Sequence, residues 1–297
     1  MSTQVPRLFA GLVDDAAVFP PGSASLADAL VAHRAHRTAW YADLVGPLLV
    51  PASALTQLSA LLDPDERIEV GVIGDVPIGR LPALLATADP RLVPRQIEVA
   101  VAKRGEDPLP GLTELLALPA EEPRPEPYAV RADLPTPELY AEVPLTWGLL
   151  GALDGIAAAR AAGTPIAAKF RTGGLAAELF PSPVELAAVI RACRDRDLPF
   201  KLTAGLHHAL RHTDPETGFT HHGFVNVLVA TAAAAEDAEV AEVAELLASG
   251  DPLRLVEPAR IRRDQARPLW RGFGSCSIDE PLTDLAQLGL MNHGETE

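Results

Sequence analysis

The chain has 297 residues, is 48% hydrophobic and 5% aromatic, and carries a formal net charge of −15. That acidic balance repels a polyanion and argues against a nucleic-acid partner, while the lack of any run of about 18 apolar residues argues against a membrane span. Cys193 and Cys276 are too few for a disulfide framework, and no charged-then-apolar leader opens the chain, so the expectation is a cytoplasmic protein with reduced thiols.

In chain order, the acidic pair Asp14 and Asp15 in LVDDAAVFPPG either lines the site or caps a helix, with capping slightly favoured. Ser23–Leu44 reads as a helix ahead of the first strand, closing a barrel floor. Strand candidates follow at Leu44–Ser53, Arg67–Asp75 and Arg95–Lys103, each trailed by a helical pattern. Pro127–Pro135 and Leu139–Leu145 are two closely spaced candidates, preceded by an acidic, proline-rich stretch, Pro119–Pro127, that reads as an exposed loop. A helix over Leu149–Ala162 is stopped by Gly163. PIAAKFRTGG (Pro165–Gly174) is the sixth strand candidate, and FKLTAG (Phe200–Gly205) the seventh. Between them SPVE places Ser182 as cap, Pro183 at the first helical position and Glu185 where a capping box needs a carboxylate. After a histidine-rich loop come helices from about Gly223 and over Val240–Leu247. LWRGFGSCS (Leu269–Ser277) is the last strand candidate, before a helix capped near Asp279 or Glu280 and ended by Gly289.

Eight strand candidates alternating with helices argue for a parallel sheet, and eight units of this size for a closed barrel. An open doubly wound sheet would carry a glycine-rich fingerprint after its first strand, and VPASAL has none. The expected fold is α/β, a (β/α)8 TIM-type barrel with an extra N-terminal helix. It is expected as one domain over residues 1–297, with residues 1–43 packing on the barrel.

Lysine is scarce: of 25 basic residues only Lys103, Lys169 and Lys201 are lysines. Lys169 and Lys201 interrupt apolar strands, and a buried unpaired charge against the helix layer is costly, so alternation turns both into the lumen. Arg171 and Thr203 follow by period two. Glu142 falls on the preceding strand, and Glu98 is a further in-strand carboxylate. Three cations facing one or two carboxylates leave a positive excess that wants an anion. Thr172, Gly173 and Gly174 follow the sixth strand, where open backbone N–H groups suit an anion. Five of the eight histidines lie between His207 and His222. His207 and His208 fall just past the seventh strand, at the barrel face that carries active sites. His212 reads as a solvated loop residue. Cys276 lies at a strand end before a helix, without a base partner in the sequence.

These residues admit several chemistries. An amine on Lys169 or Lys201 suits Schiff-base formation, with a histidine moving protons. Alternatively His207, His208 or His222 with Glu142 holds a divalent metal, His207 and His222 being the preferred ligands, while the lysines and Arg171 bind an acid. The cofactor is thus either none or a divalent metal.

The order KLTAGLHH…HHGFVNVLVATAAA resembles the metal-dependent aldolase and lyase barrels related to hydroxymethylglutaryl-CoA lyase. Those carry His-x-His after strand seven, then an Asn and an alanine-rich helix. The resemblance maps to His207, His208 and Asn226 and implies lyase chemistry at a metal. The chain departs from the pattern: its histidines are adjacent, its gap to the Asn is long, and no Asp-Arg-Glu follows the first strand candidate. The two strand lysines are similar to those of Schiff-base aldolases. LVDDAAVFPPG, KFRTGG and KLTAGLHH together are similar to a bacterial protein family, a resemblance that implies no activity.

The expected function is an enzyme acting on a small carboxylate or phosphate metabolite at the C-terminal barrel mouth, with lyase or aldolase chemistry through an enolate or Schiff base. Lys169, Lys201, His207, His208 and Glu142 are the candidate catalytic residues. Arg171, Thr172, Gly173, Gly174 and Thr203 are the candidate substrate contacts. A phosphosugar-handling barrel with RTGG on the phosphate, and a non-catalytic ligand-binding barrel, are the alternatives. The expected partner is a small anion, with neither nucleic acid nor membrane, and the alanine- and leucine-rich helices permit a homodimer.

Overall fold

The structure is a computed structural model that describes residues 5–118 and 136–292. Its barrel strands are β1 (Val13–Asp15), β2 (Val45–Pro51), β3 (Ile68–Ile73), β4 (Leu92–Ala100), β5 (Glu138–Glu142), β6 (Ile166–Arg171), β7 (Phe200–Thr203) and β10 (Trp270–Ser275). All eight are parallel and close in the order β1-β10-β7-β6-β5-β4-β3-β2. A two-residue hairpin, β8 (His212–Thr213) with β9 (Thr220–His221), stands apart in the histidine-rich loop. The described helices are α1 (Leu26–Thr38), α2 (Leu55–Ser59), α3 (Leu81–Ala86), α4 (Pro108–Ala117) and α5 (Leu149–Ala161), then α6 (Pro183–Arg194), α7 (Phe224–Ala235), α8 (Val240–Ala248), α9 (Pro252–Ile261) and α10 (Asp279–Gln287). No described helix is long and apolar enough to cross a membrane.

The first strand is not where the sequence pattern puts it. Asp14 and Asp15 cap no helix; they lie in β1, which pairs with β2 on one side and β10 on the other. The helix read as an N-terminal extension is α1, the crossover from β1 to β2, and it packs on β2 and α2. So residues 1–43 contribute a member of the ring. β4 pairs directly with β5. The Pro127–Pro135 strand candidate and the Pro119–Pro127 loop lie outside the described residues.

Local chemistry explains the helix starts. Ser182 accepts from the Glu185 N–H while the Glu185 carboxylate accepts from the Ser182 N–H, the reciprocal box that opens α6. Before α10 it is Ser277, not Asp279 or Glu280, whose hydroxyl accepts the Glu280 N–H at 3.2 Å.

Alternation sorts each strand into two faces. Ile97 and Val99, Leu139 and Ala141, Ile166, Ala168 and Phe170, and Phe200 and Leu202 join the apolar core. Their neighbours Gln96, Glu98, Tyr140, Glu142, Lys169 and Lys201 turn into the lumen, where their side chains meet. Barrels of this class usually fill the lumen with branched aliphatic layers; here much of the filling is charged.

Candidate active site

Strand register assembles the lumen. Lys169 on β6 is level with Glu142 on β5 and with Lys201 on β7, so the two lysines are neighbours across one strand gap. Glu98 on β4 bridges them: Lys201 Nζ donates to its Oε1 at 2.5 Å, and Lys169 Nζ approaches its Oε2 at 2.7 Å. Lys201 also donates to Asp14 Oδ2, and Lys169 reaches Glu142 Oε2 at 2.8 Å. Arg171 Nε closes the series on Glu142 Oε1 at 3.2 Å. Gln96 Nε2 ties Asp14 Oδ2 to Glu98 Oε1, at 2.6 and 3.0 Å. The result is an alternating row, Asp14–Lys201–Glu98–Lys169–Glu142–Arg171, crossing the lumen from β1 to the C-terminal mouth.

This row corrects the expected positive excess. Three cations face three carboxylates, and Glu98 places a negative charge between the lysines. Burial alone would raise the Glu98 pKa, yet Lys169 and Lys201 together outweigh it and hold it near 2. Burial disfavours the Lys169 ammonium, but Glu142 and Glu98 more than compensate and push its pKa above the ordinary lysine range. For Asp14 burial wins over the attraction of Lys201, and its pKa is raised. Burial raises Glu142 less than Lys169 and Arg171 lower it. A lysine held as ammonium lacks the lone pair a Schiff base needs, so Lys169 is no amine nucleophile in this state.

At the C-terminal mouth a cavity of about 300 Å³ opens between the ends of β4, β5 and β6. Glu142 and Arg171 form its inner wall, and Lys103 and Arg104 stand on its rim with Glu178 and Glu185. Among the described residues the side chains of Lys103 and Arg104 make no hydrogen bond, although Arg104 lies close enough to Glu185 to help hold that carboxylate below its ordinary pKa. The third of the three lysines thus also belongs to this end of the barrel, a role not read from its sequence context.

Other expected contacts are spent elsewhere. Thr172 donates its hydroxyl to the Ala204 carbonyl at 2.6 Å and is buried. A Cβ on Gly173 would stand 2.8 Å from the Gly205 Cα, so a glycine here permits the close approach of two backbones. Gly174 packs under Leu179. Thr203 lies level with Arg171, and its carbonyl accepts the Thr172 N–H at 2.9 Å.

The histidines turn outward from the ion row. His207 Nδ1 lies 3.0 Å from Glu280 Oε2, and His208 Nδ1 lies 3.2 Å from Asp284 Oδ2, both on α10. His212 stacks on His221 within the hairpin. His222 has both ring nitrogens engaged: Nε2 with the Pro181 carbonyl at 2.7 Å and Nδ1 with Arg211 at 3.3 Å. Burial and the nearby arginine pull its pKa down to about 4. No lone pair is left on His222 for a metal. Asn226 is also committed: its Oδ1 accepts the Arg211 N–H, and its Nδ2 donates to the Leu246 and Ser249 carbonyls. Among the described residues no group of three or more His, Cys, Asp and Glu side chains gathers as a metal site. The expected set of His207, His208, His222 and Glu142 is therefore not brought together.

Two residues gained partners that the sequence did not suggest. Asp15 faces away from the lumen and meets His33 Nδ1 at 2.9 Å in a buried pair that pins α1 to β1. Cys276 Sγ lies 3.8 Å from His207 Nδ1, but burial, with Glu280 nearby, raises the thiol pKa, which keeps the sulfur protonated. Gln96 is the lumen member the sequence did not disclose, while Glu98 was legible only as an in-strand carboxylate and Asp14 only as one of two alternatives. Gln96 and Glu98 are two apart in one strand and so share a face, which is the only local trace of their partnership. Comparison with protein-family models, curated proteins and solved structures finds no match.

Proposed function

We propose that this barrel is an enzyme that moves a proton on the carbon beside the carbonyl of a small anionic metabolite, in the lyase class of enolate chemistry. The observation that carries the reading is the mouth cavity of about 300 Å³, with Lys103 and Arg104 on its rim and Glu142 and Arg171 in its wall. Lys103, Arg104 and Arg171 grip the carboxylate or phosphate. Glu142, ionised at neutral pH, takes the proton and returns it. Arg171 now shares its charge with Glu142. When a substrate anion draws the guanidinium away, Glu142 becomes a stronger base where it is needed. Lys169 holds the Glu142 carboxylate from beneath and keeps its orientation, with no part as a nucleophile.

The reading is tested by proton NMR in deuterium oxide, following exchange at the carbon next to the carbonyl across a panel of keto acids and phosphorylated keto compounds. The expected result is exchange with at least one of them, reduced about 100-fold or more in Glu142→Gln, and weaker binding in Arg171→Gln. Exchange that is unchanged in Glu142→Gln, or absent across the panel, overturns it. Borohydride with the active substrate is expected to leave no adduct on either lumen lysine.

A further inference from the structure

The opposite end of the barrel is also built. A second cavity, again of about 300 Å³, opens at the N-terminal floor, where Asp14, Gly46, Arg95 and Arg271 line it. The three register slips in the ring all border it. β2 gains a residue against β1 between Val45 and Leu48. β4 gains Arg95 against β3, between Pro94 and Gln96. β10 gains a residue against β7 between Trp270 and Phe273, at Arg271 and Gly272. Bulges re-aim side chains, and they gather at barrel rims and beside binding sites.

A carboxylate oxygen in this cavity has no hydrogen-bond partner among the described residues. Asp14 is 6% exposed, and its Oδ2 is engaged by Lys201 and Gln96. Its Oδ1 accepts no hydrogen bond among the described residues. Gly46 makes room for it: a Cβ there would stand 1.9 Å from Oδ1. In the same lining, Arg95 Nε lies 3.5 Å from Glu69 Oε1 and Arg271 Nε lies 3.6 Å from Glu138 Oε2. Those pairs are looser than the 2.7 and 2.8 Å contacts of Lys169. The guanidinium groups of both arginines make no hydrogen bond among the described residues, and both line the cavity.

We propose that the barrel floor is a second ligand site, selective for a small carboxylic acid that also carries an amino or hydroxyl group. The ligand carboxylate lies against Arg95 and Arg271, where guanidinium edges match its two oxygens. The amino or hydroxyl group donates to Asp14 Oδ1. A ligand that covers Oδ1 without offering a donor takes its hydration away uncompensated, so the site favours acids that bring the donor over those that lack it. The proposal is independent of the chemistry assigned to the mouth.

The test is isothermal titration of the full chain at neutral pH with serine, lactate and propionate. Serine or lactate is expected to bind, with propionate weaker by about tenfold or more. The double variant Arg95→Gln/Arg271→Gln changes only part-exposed side chains and is expected to abolish binding, while Arg171→Gln leaves it intact. Binding lost in Arg171→Gln but kept in the double variant would place the ligand at the mouth and overturn the proposal. Equal binding of propionate overturns the part given to Asp14. No binding of any of the three at millimolar concentration overturns the site.

Discussion

Glu98 holds two ammonium groups on one carboxylate, Lys201 on one oxygen and Lys169 on the other. Taking such charges out of water costs several kcal/mol each, so the row adds little net stability while intact, but each member is hard to remove. Glu98→Gln leaves two buried ammonium groups facing one another, and a loss of about 3–5 kcal/mol in urea unfolding is expected. Glu257→Gln, which breaks an exposed pair with Arg260, is expected to cost less than about 1 kcal/mol. Glu98 also sets an acid limb. Its pKa in the folded chain, about 2, lies below the ordinary 4.5. The stabilisation is therefore complete above pH 4.5 and drains away as the pH falls towards 2. Glu142 acts in the same direction and Asp14 in the opposite one. The glutamine variant should show a shallower acid limb. At this scale Lys169, Lys201, Arg171 and Glu142 were legible in the sequence, because an unpaired charge in an apolar strand has only the lumen to face. Their partners were not, because Asp14 and Glu98 are 84 residues apart in a chain whose local pattern says nothing about strand stagger.

Between elements, His222 ties the end of the β8–β9 hairpin to the Pro181 carbonyl just before α6. Its pKa is lowered from 6.5 to about 4, chiefly by burial. The unfolded chain therefore takes up a proton at higher pH than the folded one. The stabilisation is complete above pH 6.5 and falls as the pH drops towards 4. Over the first one and a half units below the ordinary value the expected loss is roughly 2 kcal/mol, measured by urea unfolding across that range. His222→Gln, which keeps a donor for Pro181, should flatten that slope. The histidine density invited a catalytic or metal reading, yet contacts with α10, the hairpin and the Pro181 carbonyl absorb most of these rings. Elements with a strong period, such as α5 and α6, were legible from apolar spacing and caps. β1 was not, since three residues with two carboxylates carry no strand signature on their own.

For the whole molecule, ring closure depends on β1. Deleting residues 1–43 removes the strand that joins β2 to β10 and strips Lys201 of Asp14. The shortened chain is expected to show no cooperative thermal transition by circular dichroism. A folded fragment would mean that the remaining strands close without it. By itself the sequence determined the alternation of strands and helices, the closed parallel barrel this implies, and the inward turn of the two strand lysines. All of these follow from periods of two and 3.6 residues along the chain. Only the tertiary structure decided that the lumen is charge-balanced, that β1 is the eighth strand, that the histidines leave the ion row, and that a cavity opens at each end. Which ammonium meets which carboxylate within 3 Å depends on the register of strands distant in sequence, and that register is a property of the closed ring rather than of any one segment.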